Sequence, residues 1–430
     1  MSPILLITKV FVLALLIGVP IAFVLGLASL MYLLVIGGMP LGIIGARMFA
    51  GVNRFVLLAL PFFILAGSLM NKTKITEDLV EFADLLVGRL PGSLAQVNIF
   101  VSILFAGLTG AAVADTAAIG SILIPAMKKQ GYTAAYSAAV TTASSIIGPI
   151  IPPSIIMVIY GSVTGMSIGA LFLAGFIPGV LMGLGLMVLA AFFAIRENHP
   201  RRTEPFPREK LLSVIRRAII GLMLPVIIIG GILSGVFTAT EAAAMACFYA
   251  LVVGTLVLRT LTLKDIKDSL LESAVTAGVI LLVISSANLF GVVLAIERVP
   301  AVVAGFITDV APNPVVFLLL VNVFLLFMGM IMETGANVVI LAPILLPVAL
   351  RFGVHPLHFA LVMLVNLNIG LTTPPLGVCL FTAAPIARVR YEQISWRVLP
   401  FVGMQVSVLL LITFIPELIL FLPRLLGMIA

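Results

Sequence analysis

The sequence predicts an all-α polytopic membrane protein built from two inverted-topology repeats. Each repeat carries a re-entrant helical hairpin and a broken transmembrane helix. Three observations lead there. First, 62% of the 430 residues are hydrophobic and only 10% are charged, with a mean hydropathy of +1.31. A soluble domain carries about 25% charged residues, so lipid must solvate the excess apolar surface. Second, a shift of 222 residues lays the chain over itself. Pro125 falls on Pro347, Gly107 on Gly329, Gly131 on Gly353, Gly148 on Gly370, Pro152-Pro153 on Pro374-Pro375 and Pro178 on Pro400. Gly and Pro interrupt helices, so the two halves share their interruptions. Third, the basic residues divide unevenly between the two faces.

Apolar runs of membrane length fall at 3–17, 19–37, 53–71, 132–165, 168–195, 218–236, 239–258, 272–293, 355–387 and 394–421. Two further stretches, 92–128 and 313–350, are broken midway by small and polar residues and read as re-entrant hairpins. Irregular backbone at that depth is tolerated only where protein or a water-filled cavity surrounds it. With residues 196–217 in the cytoplasm, eighteen Lys and Arg lie on the cytoplasmic side. Five lie opposite (Arg47, Arg54, Arg298, Arg351 and Arg424), and Lys9 lies inside the first span. This is the positive-inside pattern, and it places the N-terminus outside. Five spans separate the hairpins, so the second enters from the face opposite the first.

The first repeat then covers 1–195: scaffold spans within 3–71, an amphipathic arm at 77–90, hairpin 92–128, broken span 132–165 and span 168–195. The second covers 218–430: scaffold spans within 218–293, arm 299–310, hairpin 313–350, broken span 355–387 and span 394–421. Between them, the basic linker 196–217 reads as an exposed loop at Arg196–Pro200 and Pro205–Arg208. Each arm reads either as a helix on the lipid surface or as a strut joining a moving part to a fixed one.

Composition excludes several functions. The net charge of +7 sits in short loops without aromatic interleaving, which does not fit a nucleic-acid interface. Cys247 and Cys379 lie in apolar runs and read as small hydrophobes. The three histidines form no ligand cluster, there is no P-loop, and no nucleophile–base pair stands out, so no enzyme is expected. The start shows no signal-peptide pattern. Thr238 with Glu241 reads as a helix N-cap.

The chemistry concentrates at the interruptions. Each hairpin tip carries one carboxylate, Asp115 and Glu333, in an otherwise apolar stretch. An intramembrane acid reads either as an N-cap or as a group coupled to an ion. The prolyl pairs, preceded by Gly148 and Gly370, split each broken span into half-helices with an unwound linker between them. The freed carbonyls suit a small hard cation such as Na⁺, and the N-terminus of each second half-helix suits a carboxylate. Ser144, Thr372 and Thr373 add hydroxyl oxygens.

Four motifs carry a family resemblance: GAAVADTAAIG (110–120), SSIIGPIIPPS (144–154), FTATEAAA (237–244) and NIGLTTPPLG (368–377). The whole chain resembles the large membrane subunit of tripartite ATP-independent periplasmic (TRAP) transporters. It departs from the family at Ala111, where a serine is common, and at Ala239, where a proline is common.

The resemblance implies an elevator-type secondary transporter of the ion transporter superfamily in the bacterial inner membrane. Its N-terminus would then be periplasmic. Na⁺ at two or more sites would drive symport of an organic acid, such as a sialic acid or a dicarboxylate. A periplasmic binding protein would deliver the acid, and a separate small four-span membrane subunit would complete the scaffold. By motif position, one Na⁺ site maps to Ala106, Thr109, Gly148, Ile151 and Pro153. The second maps to Gly329, Thr334, Gly370, Thr372 and Thr373. The acid would lie near Thr109, Ser154, Thr334 and Asn337. The alternative is a stand-alone ion-coupled anion carrier of the same superfamily, without a binding protein.

Overall fold

The computed structural model describes residues 3–36, 40–201 and 208–429, and every regular element among them is a helix. The chain begins with α1 (Pro3–Leu16), α2 (Ile21–Ile36), α3 (Ile43–Val52), α4 (Ala59–Asn71, entered through a 3-10 turn at Phe55–Leu58) and α5 (Ile75–Val87). Next come α6 (Ser93–Thr109), α7 (Ala112–Lys129), α8 (Ala134–Ser145), α9 (Ile155–Thr164) and α10 (Ile168–Arg196). A comparable series follows: α11 (Arg208–Leu233), α12 (Ala239–Val252, continued by a π turn at Val253–Val257), α13 (Leu263–Ile296) and α14 (Val299–Val310). It closes with α15 (Pro314–Ile331), α16 (Thr334–Arg351), α17 (Pro356–Gly370), α18 (Val378–Ala387), α19 (Tyr391–Phe414) and α20 (Glu417–Leu425). Seven helices among the described residues are long and apolar enough to cross a membrane. An eighth appears if Ile43–Val52 and Phe55–Asn71, bent by 62°, count as one.

Several boundaries differ from the sequence reading. The span expected at 218–236 begins as a helix at Arg208, so the end of the expected linker is helical. The span expected at 272–293 lies inside the longer α13, because Thr262 and Asp265 form a capping box that starts the helix earlier. The span expected at 394–421 is two helices: α19 stops at Phe414, just before Pro416, where helix geometry cannot continue. Arg47 lies on α3, a helix the hydropathy reading did not list.

The linker's start is also not a free loop. The His199 side chain is 6% exposed and lies against the rings of both Tyr132 and Tyr136, at 4.7 and 4.5 Å. Glu197 pairs with Arg397 of α19, whose guanidinium covers the Tyr136 and Phe193 rings. Burial holds the His199 imidazole below its usual pKa, against the opposing pull of Glu197. Residues 202–207 of the linker lie outside the described residues, as does Gly37 at the end of the second expected span.

Two layers organise the packing. In one, α13 runs along α2, α3 and α4, while α12 packs on α4 and α11. In the other, α6, α7 and α8 pack together, α15, α16 and α17 pack together, and α10 lies against α19. The layers meet where α4 touches α6 and where α13 touches α16. The first arm, α5, is tied to α11 by ion pairs. Arg217 of α11 pairs with its Asp78 at 3.1 Å and its Glu81 at 2.6 Å.

The first halves of the broken spans form the molecular centre. Every residue of α17 from Leu357 to Gly370 is buried, and so is every residue of α8 from Tyr136 to Ser145. These helices carry polar side chains, so each must find a partner. Ser144 bonds Ser102 (2.9 Å) and Asn98 (3.3 Å) on α6. Its 222-residue counterpart, Asn366, donates to the backbone and side-chain oxygens of Asn322 on α15, both at 2.9 Å. Each hairpin's first helix is thus bonded to its own broken span by a buried polar contact. Ser144, expected as a cage oxygen, instead makes this weld.

Main chain meets main chain at the second hairpin. A Cβ built on Gly370 would lie 2.3 Å from the carbonyl carbon of Gly329. Gly370→Val should therefore destabilise the fold by about 3 kcal/mol, the upper range for forced overpacking. At Gly230 a built Cβ meets nothing within 4 Å, so Gly230→Val should stay within about 0.5 kcal/mol. Thermal unfolding of both variants in detergent checks this; equal losses would contradict it.

Candidate functional site

The first broken span comes apart as its composition requires. After Ser145 the chain tightens into 3-10 turns, with Ile147 N–H on Ser144 O and Gly148 N–H on Ser145 O, both 3.1 Å. Pro149, Pro152 and Pro153 lack N–H groups, so no helix re-forms until α9. There Ser154 is the N-cap: its hydroxyl accepts from Met157 N–H (3.3 Å) and donates to Pro149 O (2.6 Å). The residue expected near the substrate thus also caps α9. The unwound segment lies on a glycine face of α10. A Cβ on Gly175 would come 2.2 Å from Ile150 O, and one on Gly179 would come 2.2 Å from Ile151 Cγ1.

The first hairpin tip closes onto this break. Thr109 ends α6, Gly110 turns in the left-handed region (φ +63°), and α7 begins at Ala112. Only glycine fits at residue 110, because a Cβ there would lie 2.4 Å from Pro153 O. Asp115, fully buried in the first turn of α7, accepts a hydrogen bond from the Thr109 hydroxyl. Its other oxygen, Oδ2, has no partner among the described residues and faces Gly148, where a built Cβ would lie 2.0 Å away. Asp115 is not the N-cap of α7; Ala111 holds that position. Thr109, Asp115, Gly148 and Pro153 therefore meet in one place. Ala106 is buried one turn earlier on α6.

The second set is built alike but not identically. α17 ends at Gly370, and α18 begins after Gly377 (φ +53°). The Thr372 and Thr373 hydroxyls donate to Ile369 O at 2.9 and 2.7 Å. The hairpin turns at Met332-Glu333. Glu333 is exposed and caps α16, accepting from Ala336 N–H at 3.0 Å. The cap reading therefore holds for Glu333 and fails for Asp115. Asn337, the counterpart of Asp115, reaches back from the first turn of α16 to the carbonyls of Met328 and Met332, both 3.1 Å. Its Oδ1 and the Thr334 hydroxyl are buried without partners among the described residues. Asn337 also lines a cavity of about 230 Å³ with Phe11 of α1 and Phe290 of α13.

The two sets lock together crosswise. α16 packs on α9, and α18 packs on α7 and α8. Gln405 of α19, which sequence reasoning did not single out, joins the two breaks directly. It donates to Ala143 O (2.9 Å) and accepts from Thr372 Oγ1 (3.2 Å). One polar residue in the apolar stretch 398–406 was the signal available for it.

Among the described residues no group of three or more His, Cys, Asp or Glu is arranged to hold a metal. The oxygens present are carbonyls, hydroxyls, an amide and one carboxylate, a donor set for hard cations.

The family model described as "Tripartite ATP-independent periplasmic transporter, DctM component" matches residues 8–418. The chain is 40% identical over 408 residues to the sialic acid TRAP transporter large permease protein SiaM of Vibrio cholerae, covering 95% of each chain. It is 39% identical over 404 residues to the C4-dicarboxylate TRAP transporter large permease protein DctM of Pseudomonas aeruginosa, covering 94% of each. Against the isethionate TRAP transporter permease protein DctMQ of Oleidesulfovibrio alaskensis it is 39% identical and covers 96% of this chain. It spans 65% of that relative's length. These relatives are transporter permeases, not enzymes. Among solved structures the fold is similar to the YdaH transporter of Alcanivorax borkumensis, with a TM-score of 0.68 at 14% identity over 96% of this chain and 98% of that one. The matched model and the near full-length relatives together mean that this chain belongs to the DctM, or large permease, family of tripartite ATP-independent periplasmic transporters.

Proposed function

We propose that this chain is the large membrane subunit of a Na⁺-coupled symporter that imports an organic acid across the bacterial inner membrane by an elevator mechanism. A periplasmic binding protein delivers the acid, and a small membrane subunit of about four spans completes the scaffold. The relatives named for sialic acid, C4-dicarboxylates, isethionate and 2,3-diketo-L-gulonate support organic acids as the substrate class. Their TRAP naming favours the three-part system over a stand-alone carrier. The observation that carries the reading is the meeting of each hairpin tip with the break of its own broken span, with unpartnered buried oxygens at both.

The two repeats are read as inverted, with α6–α7 and α15–α16 entering from opposite faces. Na⁺ binds first. At the first site Thr109, Gly148, Ile151, Pro153 and Ala106 supply oxygens, and Asp115 Oδ2 supplies the charge. A buried carboxylate oxygen without a partner is costly, and a cation offsets that cost. At the second site Gly329, Thr334, Gly370, Thr372 and Thr373 act in the same way. Ordered tips then hold the carboxylate between the half-helices near Thr109, Ser154, Thr334 and Asn337, where N–H dipoles favour an anion. The layer of hairpins and broken spans moves against the layer of α1–α4 and α11–α13. Each uncompensated inward positive charge gains about 2.3 kcal/mol per 100 mV of membrane potential.

Uptake into proteoliposomes containing the chain, its small subunit and the binding protein tests this directly. Accumulation should require all three components and an inward Na⁺ gradient. Uptake by the chain alone would favour the stand-alone carrier. Asp115→Asn should raise the Na⁺ concentration for half-maximal uptake about tenfold, equivalent to about 1.4 kcal/mol; an unchanged value would remove Asp115 from the first site. Thr373→Ala should weaken Na⁺ dependence by a few-fold, read from the same titration. Equal Na⁺ curves for variant and parent would remove Thr373 from the second.

A further inference from the structure

We propose that Gln405 is a positioning residue that couples the two cation sites, so that a cation entering one broken span raises the affinity of the other. The inference rests on the two-site reading above and adds a connection to it.

Gln405 is fully buried on α19, within the apolar stretch 398–406. An amide there must be paired on both its donor and acceptor sides. Its donor partner is distinctive. Because the turn after α8 tightens, Ile147 N–H bonds Ser144 O and leaves Ala143 O for Gln405 Nε2 at 2.9 Å. The amide thus occupies a carbonyl freed by the first break. Its acceptor partner is equally specific. Thr372 Oγ1 lies 3.2 Å from Gln405 Oε1 and 2.9 Å from Ile369 O. A hydroxyl has one proton, so these two acceptors compete for it. A cation taking the Thr372 lone pairs turns the hydroxyl and changes how that proton is shared. The amide plane transmits the change to Ala143 O and to the turn that presents Ser145 O and Gly148.

The repeat pattern argues against simple packing glue. The 222-residue shift sets Gly183 opposite Gln405, and Gly183 lies against Ile103 with no polar side chain. The fold therefore does not need an amide at this register in both halves. A single bridge near the centre of two repeats is what communication between two sites requires, provided the element it ties has two arrangements.

Equilibrium ²²Na⁺ binding to the full-length chain in lipid tests this, with choline holding ionic strength constant. The parent protein should bind two Na⁺ with a Hill coefficient approaching 2, and Gln405→Met should bind two with a coefficient near 1. A purely structural role would lower yield or stability while leaving the coefficient unchanged, and that result in Gln405→Met would overturn the proposal alone. Gln405→Asn, shorter by one methylene and unable to reach both partners, should give the same fall and serves if the Met variant does not fold. A parent protein that binds no Na⁺, or one, would overturn the two-site reading itself.

Discussion

Unwound backbone in the middle of a membrane protein is the constraint around which this chain is arranged. In hydrocarbon every free N–H and C=O costs several kcal/mol, so a helix can be broken only where other protein groups surround the break. Here the break after α8 is buried throughout, and the break after α17 is buried from Leu371 to Thr373 before it opens at Pro375 and Leu376. Prolines remove the donors that would otherwise be stranded, and Ser154 caps the restart. Gly175 and Gly179 let α10 approach the loose segment closely, and Gln405 occupies the Ala143 carbonyl left over at the edge of the first break. The hairpins cover these segments: Gly110 at the first tip lies against Pro153, and Gly329 of the second hairpin lies against Gly370.

Polar side chains in the core divide into two kinds. Asn98, Ser102, Ser144 and Asn322 find partners and hold hairpin helices to broken spans, whereas Asn366 bonds Asn322 through its Nδ2 and leaves its Oδ1 without a partner among the described residues. Asp115, Thr334 and Asn337 keep an oxygen unpaired. Saturated groups fix geometry; unsaturated ones are available to a ligand. The distinction separates structure from chemistry within a single buried layer.

Much of this was legible before any coordinates. Gly and Pro act through the backbone alone, so Gly110, Gly148, Gly370 and the prolyl pairs announced the breaks, and the 222-residue repeat announced their pairing. Side-chain roles were less legible, because they depend on which neighbour lies across the interface. Ser144 looked like a cage oxygen until Asn98 and Ser102 were seen to claim it. Ser154 was placed by its motif near the acid, and only the fold shows that its hydroxyl caps α9. Asp115 and Glu333 were read as equivalents, yet one is buried against Thr109 and the other is an exposed cap. The linker's Glu197 and His199 looked solvated because their partners, Arg397 and Tyr136, lie far away in sequence.

The contact between Gly329 and Gly370 limits how the second hairpin can behave. With two main chains touching and no side chain between them, α15 has no room to pivot on α17, and the Asn322–Asn366 bonds hold the same seam farther along. The first helix of this hairpin is a fixed jaw. Any gape at the site must come from the residues around Met332-Glu333 and from α16, the jaw hinged there, or else the whole block must travel together.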